Sequence, residues 1–243
     1  MTAAQPTILA TSSGLRRGVR GRFDVSLGRL HDFAAELSGA GDTARFCYLH
    51  QAMGDDPGRI GDTYAAFAGT GYRASHLQLF PRPNHDDIRK HLLRQDVIWV
   101  DGGSVANLVA VWKVHGLDEI LHEAWQSGIV LGGGSAGSIC WHTGGSTDSF
   151  GELRAFTDGL GWLPYSNGVH YDSESERRPA MHRFIAEGTL SDGYATDDGA
   201  GLLFHGTDLA EAVADREGPL GYQLTRAADG TVTELPLPTR ILS

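Results

Sequence analysis

The sequence predicts an α/β fold: a mostly parallel β-sheet in a three-layer arrangement with helices on both faces, followed by a small antiparallel C-terminal region. Three observations predict it. Short apolar runs alternate with amphipathic stretches from Thr7 to about Trp141, the pattern of strands buried on both faces and joined by helices. The 33 glycines fall mainly at the ends of the apolar runs, where tight turns need them. After about Gly199 the alternation gives way to short strand-like runs, with Asp229-Gly230 as a hairpin turn.

The elements follow in order. T-I-L-A-T at Thr7–Thr11 reads as a buried strand ending in a Ser/Gly loop. Over Val25–Ser38, Leu27, Leu30, Phe33, Ala34 and Leu37 recur at helical spacing. Strands are expected at Arg45–His50, Ala74–Leu79 and Asp96–Val100, and helices at Arg59–Gly69 and Asp86–Arg94. A further helix starts after Ser104, a plausible cap, and another covers Leu117–Ser127. Gly128–Leu131 is a strand that feeds G-G-G-S-A-G-S, and the stretch from His142 to Gly161 reads as loop. The last strands are expected at Gly201–Phe204, Ala210–Ala214, Gly221–Thr225 and Thr231–Leu235. No linker and no internal repeat interrupts the chain, so residues 1–243 are expected to form one domain.

Composition narrows the function classes. The 243 residues suit one α/β core, which often reaches about 250 residues. The net charge of −10 disfavours nucleic acid as a partner. Cys47 and Cys140 both lie in apolar runs and read as buried free thiols, with no disulfide framework and no zinc spacing. The start has no basic region followed by an apolar stretch, and no run is long enough to span a bilayer. A cytoplasmic protein without metal or organic cofactor and without a membrane partner is expected. A homo-oligomer is compatible with the sequence.

In parallel sheets ligands bind at the carboxyl ends of strands, and three glycine-bearing loops lie at such ends: Thr11–Gly14, Asp101–Gly103 and Gly132–Gly137. The last has two chemical readings. Gly132, Gly134 and Gly137 satisfy the G-x-G-x-x-G of dinucleotide binding, but no second strand with a terminal acid follows at the required distance. Gly133, Ser135 and Gly137 satisfy G-x-S-x-G, the turn that presents a nucleophilic serine between strand and helix. There the Ala136 N–H is the natural first donor to an oxyanion, and Gly102-Gly103 end an adjacent strand that can supply the second. A plain turn with a capping serine, within a non-catalytic binding protein, is the bland alternative.

A serine nucleophile needs a base and the base an orienting acid. Of eleven histidines, His31, His91 and His122 sit on polar faces of expected helices and read as solvated. His50 and His76 belong to strands, and His142 points away from Ser135. His170, in S-N-G-V-H-Y-D, ends a strand downstream of the elbow. Asp197 and Asp198 in A-T-D-D-G-A lie between two strand-like runs.

Taken together, D-G-G-S-V-A-N-L, G-G-G-S-A-G-S, N-G-V-H-Y and D-D-G-A resemble the serine peptidase family of peptidase E (aspartyl dipeptidase) and cyanophycinase, over most of the chain. The resemblance implies a class I glutamine-amidotransferase-like fold and a small peptide substrate, with N-terminal-aspartate dipeptides as the leading class. It implies Ser135 as nucleophile, His170 as base, Asp198 as acid in place of the family's usual glutamate, Gly103 and Ala136 as oxyanion-binding amides, and Arg178 as the substrate-side arginine. Asp197 is the spare acid and Arg177 the next arginine.

Overall fold

The computed structural model describes residues 3–19 and 24–243; the first residues of the start read for a leader lie outside them. In chain order the elements are β1 (Thr7–Thr11), β2 (Arg16–Arg17), β3 (Val25–Ser26), α1 (Arg29–Leu37), β4 (Arg45–Leu49), α2 (Pro57–Phe67), β5 (Arg73–Leu77), α3 (Ile88–Leu92) and β6 (Val97–Val100). Then come α4 (Val105–His115), α5 (Leu117–Gln126), β7 (Val130–Gly134), α6 (Ala136–Ile139), β8 (His142–Phe150), β9 (Glu152–Phe156) and β10 (Leu163–Gly168). The chain closes with α7 (Arg177–Ala186), β11 (Gly193–Thr196), β12 (Ala200–His205), β13 (Asp208–Ala214), β14 (Gly221–Arg226), β15 (Val232–Pro236) and β16 (Thr239–Ile241).

The larger sheet runs β16-β13-β12-β1-β7-β6-β4-β5. From β1 to β5 every neighbouring pair is parallel. β1, β6 and β7 are buried along their whole length, so their unbroken apolar runs follow from having two covered faces. Alternation splits β1 between two cores. Ile8 and Ala10 join the α4, α5 and α6 side, while Leu9 joins Phe33 of α1 and Phe67 of α2 on the other. The expected α/β fold with a mostly parallel sheet is therefore found, and no helix among the described residues is long and apolar enough to cross a membrane.

Two local expectations are corrected. The helix expected from Val25 begins only at Arg29: Val25–Ser26 pair antiparallel with Arg16–Arg17, and Gly28 is the cap. The stretch expected to be loop after His142 is the hairpin β8/β9. It belongs to a second, six-stranded sheet ordered β15-β14-β11-β10-β8-β9. Its glycines are there for close approach rather than for turning, since a Cβ on Gly144 would overlap the Phe156 carbonyl. The antiparallel C-terminal region expected from the sequence is found, and it is shared between the two sheets. β12 and β13 extend the large sheet antiparallel from β1, and β14 and β15 extend the second sheet.

The histidines divide differently too. His31, expected in solvent, is buried, its Nε2 within 2.6 Å of the Tyr48 hydroxyl. Burial lowers its pKa to about 4, so it packs as a neutral ring.

Candidate active site

The ends of β1, β6, β7, β10 and β11 bring the loops that follow them to one edge. β7 enters the elbow, and Ser135 sits between it and α6 at φ 58° and ψ −115°. This is a sparsely populated region for a residue with a side chain. The spacing of the flanking glycines has a single physical cause. The last carbonyl of β6, Val100 O, comes so close that a Cβ on either Gly133 or Gly137 would lie 2.5 Å from it. Only hydrogen fits at both places, which leaves Ser135 as the side chain the turn presents. The Ser135 N–H donates to Thr11 O at 3.0 Å and ties the elbow to β1. The same crowding gives the neighbouring glycines a packing role. The space beside Gly134 is filled by Ser13 O and that beside Gly137 by Val100, so these glycines pack strand ends together.

His170 follows β10 and Val169, at φ +56°. Its N–H donates to Ser12 Oγ at 3.0 Å, and Ser12 Oγ lies 2.7 Å from Thr196 Oγ1. The loop after β1 and the end of β11 therefore seat the histidine between them. His170 Nδ1 lies 2.6 Å from Asp198 Oδ1. Burial works to raise the Asp198 carboxyl, but hydrogen bonds from His170 and Ser173 and the charges of His170 and Arg216 outweigh it, so its pKa is lowered. The loop carrying Asp198 is pinned by the Gly199 N–H, which donates to Ser13 Oγ at 2.8 Å, and by Arg216, whose Nη2 donates to Asp198 O at 2.7 Å.

Asp197 is placed away from the ring. Its Oδ2 accepts from Leu220 N–H at 3.0 Å and from the Tyr222 hydroxyl at 3.1 Å, while Oδ1 is buried without a partner. Burial raises its pKa.

Ser135 and His170 line a common cavity of about 370 Å³ together with Gly103, Asp148, Glu174 and Arg177. They also border a second of about 270 Å³, on the side of Ser13, Gly14, Arg59 and Asp101. Gly103 has φ +136°, and a Cβ there would lie 2.5 Å from Ala52 O. Among the described residues the N–H groups of Gly103 and of Ala136 make no hydrogen bond, so both are available as donors.

The structure separates the two arginines. Arg178 lines neither cavity. Its guanidinium lies 4.6 Å from the ring centres of both Tyr171 and Tyr222, and its Nη1 donates to Glu234 Oε1 at 2.6 Å. The residue expected on the substrate side is thus placed outside both cavities, its charge met by an anion and two aromatic faces. Arg177, one residue earlier, lines the larger cavity and is 3% exposed. Its Nε donates to Glu174 Oε2 at 2.7 Å, its Nη1 donates to Ser146 O at 2.9 Å, and Asp148 stands 3.6 Å from its Nη2.

Sequence reasoning missed Ser12 and Ser13 as the seat of His170 and of the Asp198 loop, and Arg59 and Asp101 as cavity residues. Both loops were visible as strand ends, but their partners were not. Among the described residues no cluster of three or more His, Cys, Asp or Glu side chains is arranged to hold a metal ion.

Comparison with known proteins gives a consistent result. The model of peptidase family S51 matches residues 8–212. The uncharacterized peptidase YgaJ of Bacillus subtilis (strain 168) is 43% identical over 198 residues, 82% of this chain and 85% of that protein. Among solved structures, a peptidase from an acI-B1 Actinobacterium superposes with a TM-score of 0.69 at 18% identity, covering 95% of this chain and 94% of the other. A Listeria monocytogenes EGD-e protein described as a candidate peptidase E gives 0.58 at 17% identity, covering 85% and 97%. At these identities the two structures speak to the fold alone.

Proposed function

Because the chain belongs to peptidase family S51 and is a serine-type peptidase by that membership, we propose that Ser135, His170 and Asp198 are its catalytic triad and short peptides its substrates. The observation that carries this is the cavity of about 370 Å³ lined by both a strained Ser135 and His170, whose Nδ1 is held 2.6 Å from Asp198.

The mechanism follows from those positions. Ser135 Oγ attacks the carbonyl carbon of the scissile bond, and His170 Nε2, the nitrogen that Asp198 leaves free, takes the hydroxyl proton. Asp198 holds the tautomer that makes this transfer work and offsets the imidazolium charge. The carbonyl oxygen becomes an oxyanion facing the Gly103 and Ala136 N–H groups. His170 then gives its proton to the departing amine as the C–N bond breaks. Water attacks the acyl ester by the same route, releasing the carboxylic acid and restoring Ser135.

The finer reading is dipeptides with N-terminal aspartate. It rests on the resemblance, and on Arg177 as the buried guanidinium in the cavity. A substrate carboxylate would have to take over the Arg177 contacts now made by Glu174 and Asp148. The buried free thiols Cys47 and Cys140 fit a reducing, cytoplasmic setting, and we read the chain as one domain.

Labelling with a fluorophosphonate tests the nucleophile. The label is expected on Ser135 and absent in Ser135→Ala, with loss of peptide hydrolysis in the same variant. A fully folded wild type that takes no label and cleaves no dipeptide would instead support a binding protein built on a peptidase fold.

A further inference from the structure

The loop that carries Gly103 is fastened by contacts that Ser135, His170 and Asp198 do not use. Asp101, the residue before Gly102-Gly103, is buried. Its Oδ1 accepts from the Gly102 N–H at 3.0 Å and from Arg59 Nη2 at 2.8 Å. Its Oδ2 accepts from Arg59 Nε at 2.9 Å and lies 3.3 Å from His50 Nδ1. The Arg59–Asp101 contact is thus the bidentate, planar kind that adds geometric definition as well as energy. The other nitrogen of His50 lies 3.2 Å from the hydroxyl of Thr63, which belongs to α2, the helix that also carries Arg59.

The backbone adds two anchors. The Asp101 N–H donates to Leu49 O and the Ser104 N–H to Ala52 O, each at 2.9 Å. Between them Gly103 turns at φ +136° with its N–H unused. On its other side the loop touches the nucleophile: a Cβ on Gly102 would be 3.2 Å from Ser135 Cβ. Two successive glycines would otherwise be the most freely moving pair in the site.

We propose that Asp101 and Arg59 are positioning residues: a carboxylate–guanidinium clamp that orients the Gly102-Gly103 peptides, so that the Gly103 N–H meets the oxyanion formed when Ser135 attacks. The proposal deepens the peptidase reading and rests on Ser135 as nucleophile. Arg59 borders the smaller cavity, yet two of its three nitrogens are committed to Asp101, so its action is on the loop. Oxyanion donors are effective only within a few tenths of an ångström of their ideal distance. A loosened loop should therefore slow the chemical step and leave substrate binding almost unchanged.

The experiment compares Asp101→Ala, Asp101→Asn and Arg59→Ala with the wild type. Three quantities are measured: kcat and KM on a dipeptide, the rate of fluorophosphonate labelling at Ser135, and Tm. Asp101→Ala and Arg59→Ala are expected to lower kcat by about tenfold to a hundredfold with KM within about threefold, and to slow labelling in parallel. Asp101→Asn is expected to recover part of the loss, because its Oδ1 can still accept from the Gly102 N–H. A raised KM with unchanged kcat in Arg59→Ala would make Arg59 a substrate contact and overturn the clamp. So would a loss of activity that matches a loss of titratable active sites, which is what mere misfolding gives. If the label reaches Ser135 in Asp101→Ala at the wild-type rate, only the clamp falls. If the label in the wild type goes elsewhere, the triad and the clamp fall together.

Discussion

His170 Nδ1 lies 2.6 Å from Asp198 Oδ1, while the neighbouring Asp197 directs its carboxylate to Leu220 and Tyr222. Adjacent acids thus face different partners, and they should respond oppositely to the same change. Asp198→Asn is predicted to lower kcat by about 10³–10⁴-fold, since an amide favours the wrong imidazole tautomer. Asp197→Asn should stay within severalfold of the wild type. Steady-state kinetics of the two variants decide the matter, and a reversed order would move the acid to Asp197.

The same pair predicts a pH effect on stability. Asp197 has its carboxyl raised by burial, so the folded state favours its protonated form. Its contribution is fully present below the ordinary carboxylate pKa and declines as pH rises through that value toward the raised folded one. Asp198 is lowered, so its contribution is present above the ordinary carboxylate pKa and lost as pH falls below it. In urea unfolding at acid and neutral pH, Asp197→Asn should gain stability relative to the wild type as pH rises, and Asp198→Asn should lose it. Parallel curves for wild type and Asp197→Asn would contradict this.

Ser135→Ala and His170→Ala should each abolish hydrolysis with little change in Tm, because neither side chain supports the core. Since they act as one unit, the double variant should be scarcely slower than either single one. Near-normal turnover by His170→Ala would remove the histidine from the mechanism.

Gly137→Ala should destabilise the protein by about 1–3 kcal/mol, because its Cβ would press on Val100 O at 2.5 Å. Thermal unfolding checks this, and an unchanged Tm would mean that the end of β6 yields more readily than the packing implies.

Specificity separates the arginines. Arg178→Ala should cost about 1–2 kcal/mol of stability from its two aromatic contacts and its partner Glu234, with kcat/KM on Asp-Leu unchanged. Any preference for Asp-Leu over Asn-Leu and Ala-Leu should disappear in Arg177→Ala. A wild type that shows no such preference would refute the aspartyl dipeptidase reading and leave the triad standing.

The sequence alone determined what is written in local pattern. Apolar runs without alternation marked strands covered on both faces, and glycines at their ends marked the edge where loops gather. The elbow was recognisable because Gly133, Ser135 and Gly137 are close in the chain, and its two glycines meet one obstacle, Val100 O. The tertiary structure decided everything that depends on which way a side chain turns and on what it meets from afar. Gly144 and Gly145 read as loop because the carbonyls that forbid them a side chain belong to Phe156 and Asn167. The local pattern around Asp197 and Asp198 did not separate them, and only the resemblance favoured Asp198; their different directions give the first to Tyr222 and the second to His170. Arg177 and Arg178 differ by one helical step, about 100°. That rotation puts the first in the cavity beside Ser135 and the second against Glu234, 56 residues further along the chain. No local pattern records such a partner, because the distance that matters is closed only when the sheets pack.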